Sequence, residues 1–532
     1  MMPKTRRRPF VTLLALSVLV SALLFQAACD DRAHVPAPAT QAQKVSVEEI
    51  AWFEGSVEDA FAQARTQDKP VYLYWGAVWC PPCQEIKNTV FKSKQFIAQT
   101  ELFIPVYLDG DTERAQTWGE TLGVKGYPTM IVFNPAGEEI TRIPGGIDIS
   151  RYNKVLALSL DHMRPTSMLV SLAKNHPDQL QASDYHQLAF YSWGQDHAAL
   201  PEDSSPELFF GLAERVRLSD REASARLYLQ GLVLQSEAAD NESDPPHADQ
   251  LTQILSSPDL VIACRDYLAY WSEEIVDVLD ASDATKTQWQ AILLNLRHHE
   301  TLSTAEQLGG WIPFLTFYFD GDSDQERELS DEIIALVRAD ARQADEETRN
   351  AYARQSVVSM INYLHRSARL NDDARTLLLA ELDRSASSYY FMSSLASLAE
   401  HEEKTDKALG WRRKAYEVAE GNATRFQWGV NYVRAMVRLQ PEDHESIAAT
   451  ATSLFDNLEG TQDVFIGRTY RYLRSLVGEL RTWDEDQARL QAFDARLEDL
   501  CGAQQPASTG AQHCDSLLPD HQKDRQQDAS GA

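Results

Sequence analysis

The stretch "YWGAVWCPPCQEIK" at residues 74–87 constrains its surroundings more tightly than any other part of the chain. Proline breaks a helix interior, because it lacks an N–H and its ring fixes φ. In the first helical turn the N–H has no intrahelical partner, so proline is well placed there. Pro81 and Pro82 therefore mark the first two positions of a helix that runs on through "CQEIKNTVF". Cys80 then falls at the N-cap and Cys83 at the third helical position, where its N–H can point back at the Cys80 sulfur as it would at a serine cap. A Cys80 thiolate faces the positive end of the helix, which lowers its pKa. The expectation is an exposed, activated Cys80 and a shielded Cys83 that resolves a mixed disulfide. Pro82 has no N–H to offer, and no His or Lys lies between the cysteines. The thiolate is then only moderately stabilised, which favours a reductant over a strong oxidant.

A structural zinc site needs four ligands, usually as two close pairs. No second Cys-x-x-Cys exists, and His298-His299 lie far away in a helical stretch. Neither a metal nor a cofactor is expected. A Cys-x-x-Cys that opens a helix within a β/α pattern reads as a redox pair.

Residues 46–160 carry that pattern. Ser56 opens "SVEDAFAQARTQ" with Asp59 three residues on, a capping box built with Asp. "PVYLYWGA" and "LFIPVYLD" read as buried strands, and "TERAQTWGETLG" as a helix that ends at Gly123. "TMIVFN" and "EEITRIP" form a hairpin across "PAGE", and a last helix begins near Ser150.

Trp79-Cys80-Pro81-Pro82-Cys83 resembles the active site of the thioredoxin superfamily. "GVKGYPTMIVFNPAGEEI" continues the likeness, with Pro128 at the position of the family's cis-proline. Together with "IAWFEGSVEDAFAQARTQDKPV" and "EIKNTVF", these segments resemble the periplasmic thioredoxin-like branch that includes the C-terminal domain of DsbD. The resemblance implies a thioredoxin fold over 46–160 and catalytic roles for Cys80 and Cys83. It also implies a substrate-docking surface at Trp79, Tyr127 and Pro128, with the backbone of Tyr127 offered to an extended substrate segment. One departure is Tyr74, where thioredoxin itself has a buried Asp that helps move protons. A phenol is no base near neutral pH, so Glu85, water or a substrate group is left to take the proton of Cys83. A solvated surface role is the alternative for Glu85.

From 161 to 500 strand signals nearly vanish. Apolar residues recur three and four apart, as in "ELFFGLAERVRL" and "EIIALVRADA". This reads as a larger all-α domain of stacked helical hairpins, TPR-like but without a fixed 34-residue period. Its most obvious breaks are 236–249 and 320–328. Within the second, Asp320, Asp322 and Asp324 loosely match a calcium loop. Gln325 replaces the required Gly and Asp331 the final Glu, so an acidic loop before a helix is the plainer reading.

The first 28 residues are expected to leave the fold as an export signal: Lys4, Arg6, Arg7 and Arg8 precede an apolar run from Val11 to Phe25. Gln26-Ala27-Ala28-Cys29 resembles a bacterial lipoprotein cleavage site, which implies lipidation at Cys29, with 29–45 as a tether. An ordinary signal peptide cut after Ala37-Pro38-Ala39 is the alternative. Export places the cysteines in an oxidising compartment. Cys501 and Cys514 could close a local disulfide within a polar tail, 501–532, and Cys264 reads as a buried thiol. A net charge of −29 argues against nucleic acid as a partner.

These readings converge on a periplasmic or envelope thiol–disulfide oxidoreductase, membrane-tethered through Cys29. It would reduce disulfide-containing protein clients and be recharged by an upstream redox partner. The rivals are a disulfide oxidase or isomerase, and an adaptor whose helical domain carries the main role.

Overall fold

A computed structural model describes residues 50–196, 199–200, 205–238, 249–320, 322, 326–461, 464–484, 488–505 and 508–518. The expected export signal, tether and lipidated Cys29 lie outside these residues, as does Asp324.

The first helix, α1 (Val57–Gln67), starts on the reciprocal cap foreseen in its sequence. Asp59 N donates to Ser56 Oγ at 3.0 Å, and Ser56 N donates to Asp59 Oδ2 at 3.3 Å. Strand β1 (Val71–Gly76) follows, then α2 (Pro81–Asn88), α3 (Lys94–Gln99), β2 (Ile104–Asp109), α4 (Glu113–Thr121), β3 (Thr129–Phe133), β4 (Glu139–Arg142) and α5 (Ile149–His162). The sheet order is β2-β1-β3-β4. Strand β1 runs parallel to β2 and antiparallel to β3, and β3 pairs antiparallel with β4.

Side chains alternate across a strand, and here the alternation separates two cores. Val71, Leu73 and Trp75 join Ile104, Val106, Leu108, Ile131 and Phe133 beneath α1 and α4. Tyr72, Tyr74, Met130 and Val132 face the other way, onto Phe91, Phe96 and Tyr152. This second core does not stop at residue 160. It continues into Leu169, Val170, Leu188 and Phe190 of the helices that follow. The sheet's second face is thus covered by the helical region as well as by α5.

Beyond His162 the described residues contain helices and turns and no strand. Antiparallel hairpins dominate, such as Pro206–Val216 with Arg221–Glu237 and Asp331–Glu347 with Ala351–Ser367. The region curls around the sheet-bearing segment and touches it on several sides. Thr166 Oγ1 donates to Ile140 O at 2.6 Å and Arg265 Nη2 to Gly146 O at 2.7 Å. Further on, Gln355 Nε2 donates to Trp79 O at 3.1 Å and Arg468 N to Gln116 Oε1 at 2.6 Å. The described residues accordingly belong to one compact unit.

One sequence expectation needs correction. Residues 501–518 are not simply a polar tail: Thr509–Asp515 is a helix, and Cys514 and Leu517 are buried in the last helical core. The segment is docked because His513 stacks on Tyr470 and its Nδ1 lies 2.8 Å from Phe465 O. The acidic loop, read as such in the sequence, pairs two of its carboxylates within the chain. Asp320 pairs with Lys286 at 2.8 Å and Asp322 with Arg369 at 2.7 Å. Among the described residues no cluster of three or more His, Cys, Asp or Glu could hold a metal.

Candidate active site

Strand β1 ends at Gly76, and after three intervening residues the chain enters α2 through Cys80. Cys80 is the N-cap, with Pro81 and Pro82 at the first two helical positions, and the Cys83 N–H reaches the Cys80 Sγ at 3.2 Å. The two cysteines form a disulfide with their Cα atoms 5.2 Å apart. Opposite them, the Tyr127–Pro128 peptide is cis, and the Tyr127 carbonyl oxygen stands 3.5 Å from the Cys80 Sγ.

The expected exposure of Cys80 is not found. Cys80 is 2% exposed and Cys83 0%, packed with Ala77, Trp79 and Tyr127. The cause is the helical region. The helix Ala351–Ser367 lies against α2, and Trp79 is held at both ends, by Gln355 at its carbonyl and by Thr424 Oγ1, which accepts from Nε1 at 2.8 Å. The Arg468 guanidinium stands over both aromatic rings, 5.4 Å from Trp79 and 5.7 Å from Tyr127. It is anchored by Asp111 at 2.6 Å, which also accepts from Thr424 N and Oγ1.

Below α2, the Tyr74 hydroxyl approaches the Cys83 carbonyl at 3.5 Å. Burial raises its pKa far above the ordinary phenol value, so it stays protonated. Tyr74 stacks on Tyr107, and Lys87 Nζ donates to the Tyr107 hydroxyl at 3.2 Å. Burial lowers the Lys87 pKa, opposed by the nearby Asp109. Sequence reasoning missed Lys87, although its i+4 spacing from Cys83 puts both on one face of α2.

Glu85 is placed elsewhere. Its Oε1 is buried without a hydrogen-bond partner, and its charge acts on Glu306. Glu306 is held above the ordinary carboxyl range by burial first, against the pull of Arg265 2.5 Å away. Cys501 and Cys514 are joined, with Cα atoms 5.6 Å apart. Cys264 is free and buried, and burial pushes its thiol up to about 12. Gln355, Thr424 and Arg468 were also missed. They lie hundreds of residues from the cysteines, where no local spacing could signal them.

A Cys pair on a helix start facing a cis-proline can exchange electrons with a disulfide. A family model described as "Thioredoxin-like domain" matches residues 57–159. Over 100 residues the chain is 31% identical to the thiol:disulfide interchange protein DsbD of Photorhabdus laumondii subsp. laumondii, covering 18% of this chain and 17% of that protein. The chain therefore spans less than a fifth of that relative's length. A solved structure, a DsbH oxidoreductase, aligns at 18% identity and a TM-score of 0.17, over 20% of this chain and 82% of that one. Residues 57–159 are a thioredoxin-like domain, followed in this chain by a larger, mostly helical region.

Proposed function

We propose that the protein is an exported thiol–disulfide oxidoreductase that works as a reductant. The observation that carries this reading is the Cys83 N–H at 3.2 Å from Cys80 Sγ, at a helix start opposite the cis Tyr127–Pro128 peptide. In the reduced pair, Cys80 attacks a partner disulfide. One partner thiolate leaves and takes up a proton, and a mixed disulfide forms. Cys83, once deprotonated, attacks the Cys80 sulfur, the second partner thiolate leaves, and the pair is oxidised by two electrons. Trp79, Tyr127 and Pro128 form the docking surface, and Lys87, one turn after Cys83 on α2 and bonded to the Tyr107 hydroxyl, is the group assigned to the Cys83 proton.

The reducing direction follows from opposed effects on the Cys80 thiolate. The helix start and the Cys83 N–H favour it, while burial and the missing N–H of Pro82 do not. A potential near that of strong oxidants, about −120 mV, would overturn the direction. The basic, apolar N-terminus supports an envelope location, with Cys29 as a lipid anchor. Protein clients with disulfides and an upstream dithiol donor are the partners this chemistry calls for.

A Cys83→Ala variant tests the reading. It should accumulate a partner bound through Cys80 that is released by reductant, whereas absence of any mixed disulfide in the native envelope would count against exchange. A second reading is favoured by the cover over the cysteines: an adaptor whose helical region does the main work. On that reading, Cys80→Ser leaves the cellular phenotype of the intact protein unchanged.

A further inference from the structure

The cavity beside the disulfide carries a charge opposite to that of the chain as a whole. A space of about 310 Å³ is walled by Trp79, Lys125, Tyr127, Arg434, Arg468 and Arg471. Two of its four cations have carboxylate partners, Arg468 with Asp111 at 2.6 Å and Arg434 with Glu479 at 2.5 Å. Among the described residues no carboxylate lies within ion-pair distance of Lys125 or Arg471. The Arg471 guanidinium makes only a 3.4 Å contact with the Lys125 carbonyl. Burial pulls the Arg471 pKa below its ordinary value; Tyr127 and Glu120 oppose that, and Arg468 adds to it. Arg468 is itself 6% exposed, and its Nε is buried without an acceptor. The protein carries a net charge of −29, so this basic hollow is no sample of its general surface. It also lies where the chemistry is: Trp79 and Tyr127 wall it, and the Tyr127 carbonyl is 3.5 Å from Cys80 Sγ.

We propose that this cavity seats a carboxylate of the disulfide partner, so that the pair selects acidic disulfides carried on small molecules or extended chain segments. The inference rests on the exchange reading above and narrows it. A folded domain could not bring its disulfide onto Cys80, which is 2% exposed beneath Trp79 and the helix Ala351–Ser367. A small or extended partner seated in the cavity meets Trp79 and Tyr127, the residues packed on Cys80, and needs only a local shift of that cover. With R–S–S–R′ bound through its carboxylate, the Cys80 thiolate attacks one sulfur, the S–S bond breaks, and R′S⁻ leaves and takes a proton from solvent. Cys83 gives up its proton and attacks the Cys80 sulfur, and RS⁻ leaves. One partner disulfide becomes two thiols as the pair becomes a disulfide.

The test uses the full chain with its pair reduced. Oxidation of the pair is followed by acid quench and thiol alkylation. The probes are oxidised glutathione, which carries carboxylates, and bis(2-hydroxyethyl) disulfide, which does not. Each rate is divided by that of dithiothreitol with the same probe. The expected preference for the acidic probe is about tenfold at low salt and shrinks as salt screens it. Arg471→Gln and Lys125→Gln should each cut the preference about fivefold, the scale of one ion pair in a wet site. Because the readout is a ratio, a partial loss of folded protein does not move it. A parallel arm compares disulfide-bridged peptides flanked by Glu or by Gln. Preference for glutathione alone assigns the cavity to small molecules, and preference in both arms extends it to acidic chain segments. No preference in either arm, or a preference that Arg471→Gln leaves intact, overturns the proposal. Exchange with the neutral probe but without preference sinks this inference only; no exchange with any disulfide sinks the exchange reading itself.

Discussion

Tyr74 sets the chemistry beneath the redox helix. Its hydroxyl is 3.5 Å from the Cys83 carbonyl, a distance at which a hydrogen bond contributes little. Buried and protonated, it cannot act as a base. Tyr74→Phe should therefore change the rate of disulfide exchange by less than about twofold, on the reasoning that a misaligned hydrogen bond is weak; a loss of tenfold or more in stopped-flow exchange would falsify this view. Lys87 behaves differently. Its folded pKa lies below the ordinary 10.5 because of burial. Between those two values the unfolded chain binds more protons than the folded one, so stability rises with pH through that window. Lys87→Met removes the titration. Urea unfolding at stepped pH should show the wild type gaining on the variant as pH rises towards 10.5, and parallel curves would contradict the assignment. At this scale the sequence was informative for the placement of Cys80, Cys83 and Pro128, which depends on neighbours in the chain. It misplaced the exposure of Cys80, because a residue's burial depends on whatever else packs over it.

Among the elements, α2 and the helices laid across it matter most. The aromatic and branched run of β1, the capping box of α1 and the proline start of α2 were all legible, since each is a local rule. The fit of the helix Gly467–Trp483 was not. Gly467 has φ +58, and a Cβ there would stand 2.6 Å from Gln116 Oε1 and 3.0 Å from Gln116 O. That contact brings Arg468 N onto Gln116 and Gly467 N onto Glu120 Oε2 at 2.8 Å. Gly467→Ala adds left-handed backbone strain of about 1–2 kcal/mol and a clash that backbone cannot relieve cheaply. A lower melting temperature is expected, together with faster alkylation of reduced Cys80. Unchanged alkylation would mean that this helix does not govern access to the cysteine.

Over the whole molecule, the cover is fastened by one small polar cluster. Asp111, in the turn after the second strand, holds Thr424 and Arg468 at once, and Arg468 in turn lies over Trp79 and Tyr127. Asp111→Ala leaves a buried guanidinium without its carboxylate, at a cost of about 3 kcal/mol. Hydrogen exchange should rise at Thr424 and Arg468 together with the reactivity of reduced Cys80. If exchange at those amides is unchanged, the clasp does not hold the cover.

The sequence by itself determined the thioredoxin-like segment and its redox pair. Helix starts, strand alternation and the cysteine spacing act within a dozen residues, and the chain encodes them directly. It also determined that the rest is helical. Only the tertiary structure decided that this helical region wraps the segment, buries both sulfurs and builds a basic cavity beside them. Those outcomes come from contacts between residues some 270 to 360 positions apart, such as Trp79 with Gln355 and Thr424, and Asp111 with Arg468. No periodicity or spacing carries that pairing, because it is fixed by the packing of whole elements and not by the chain between them.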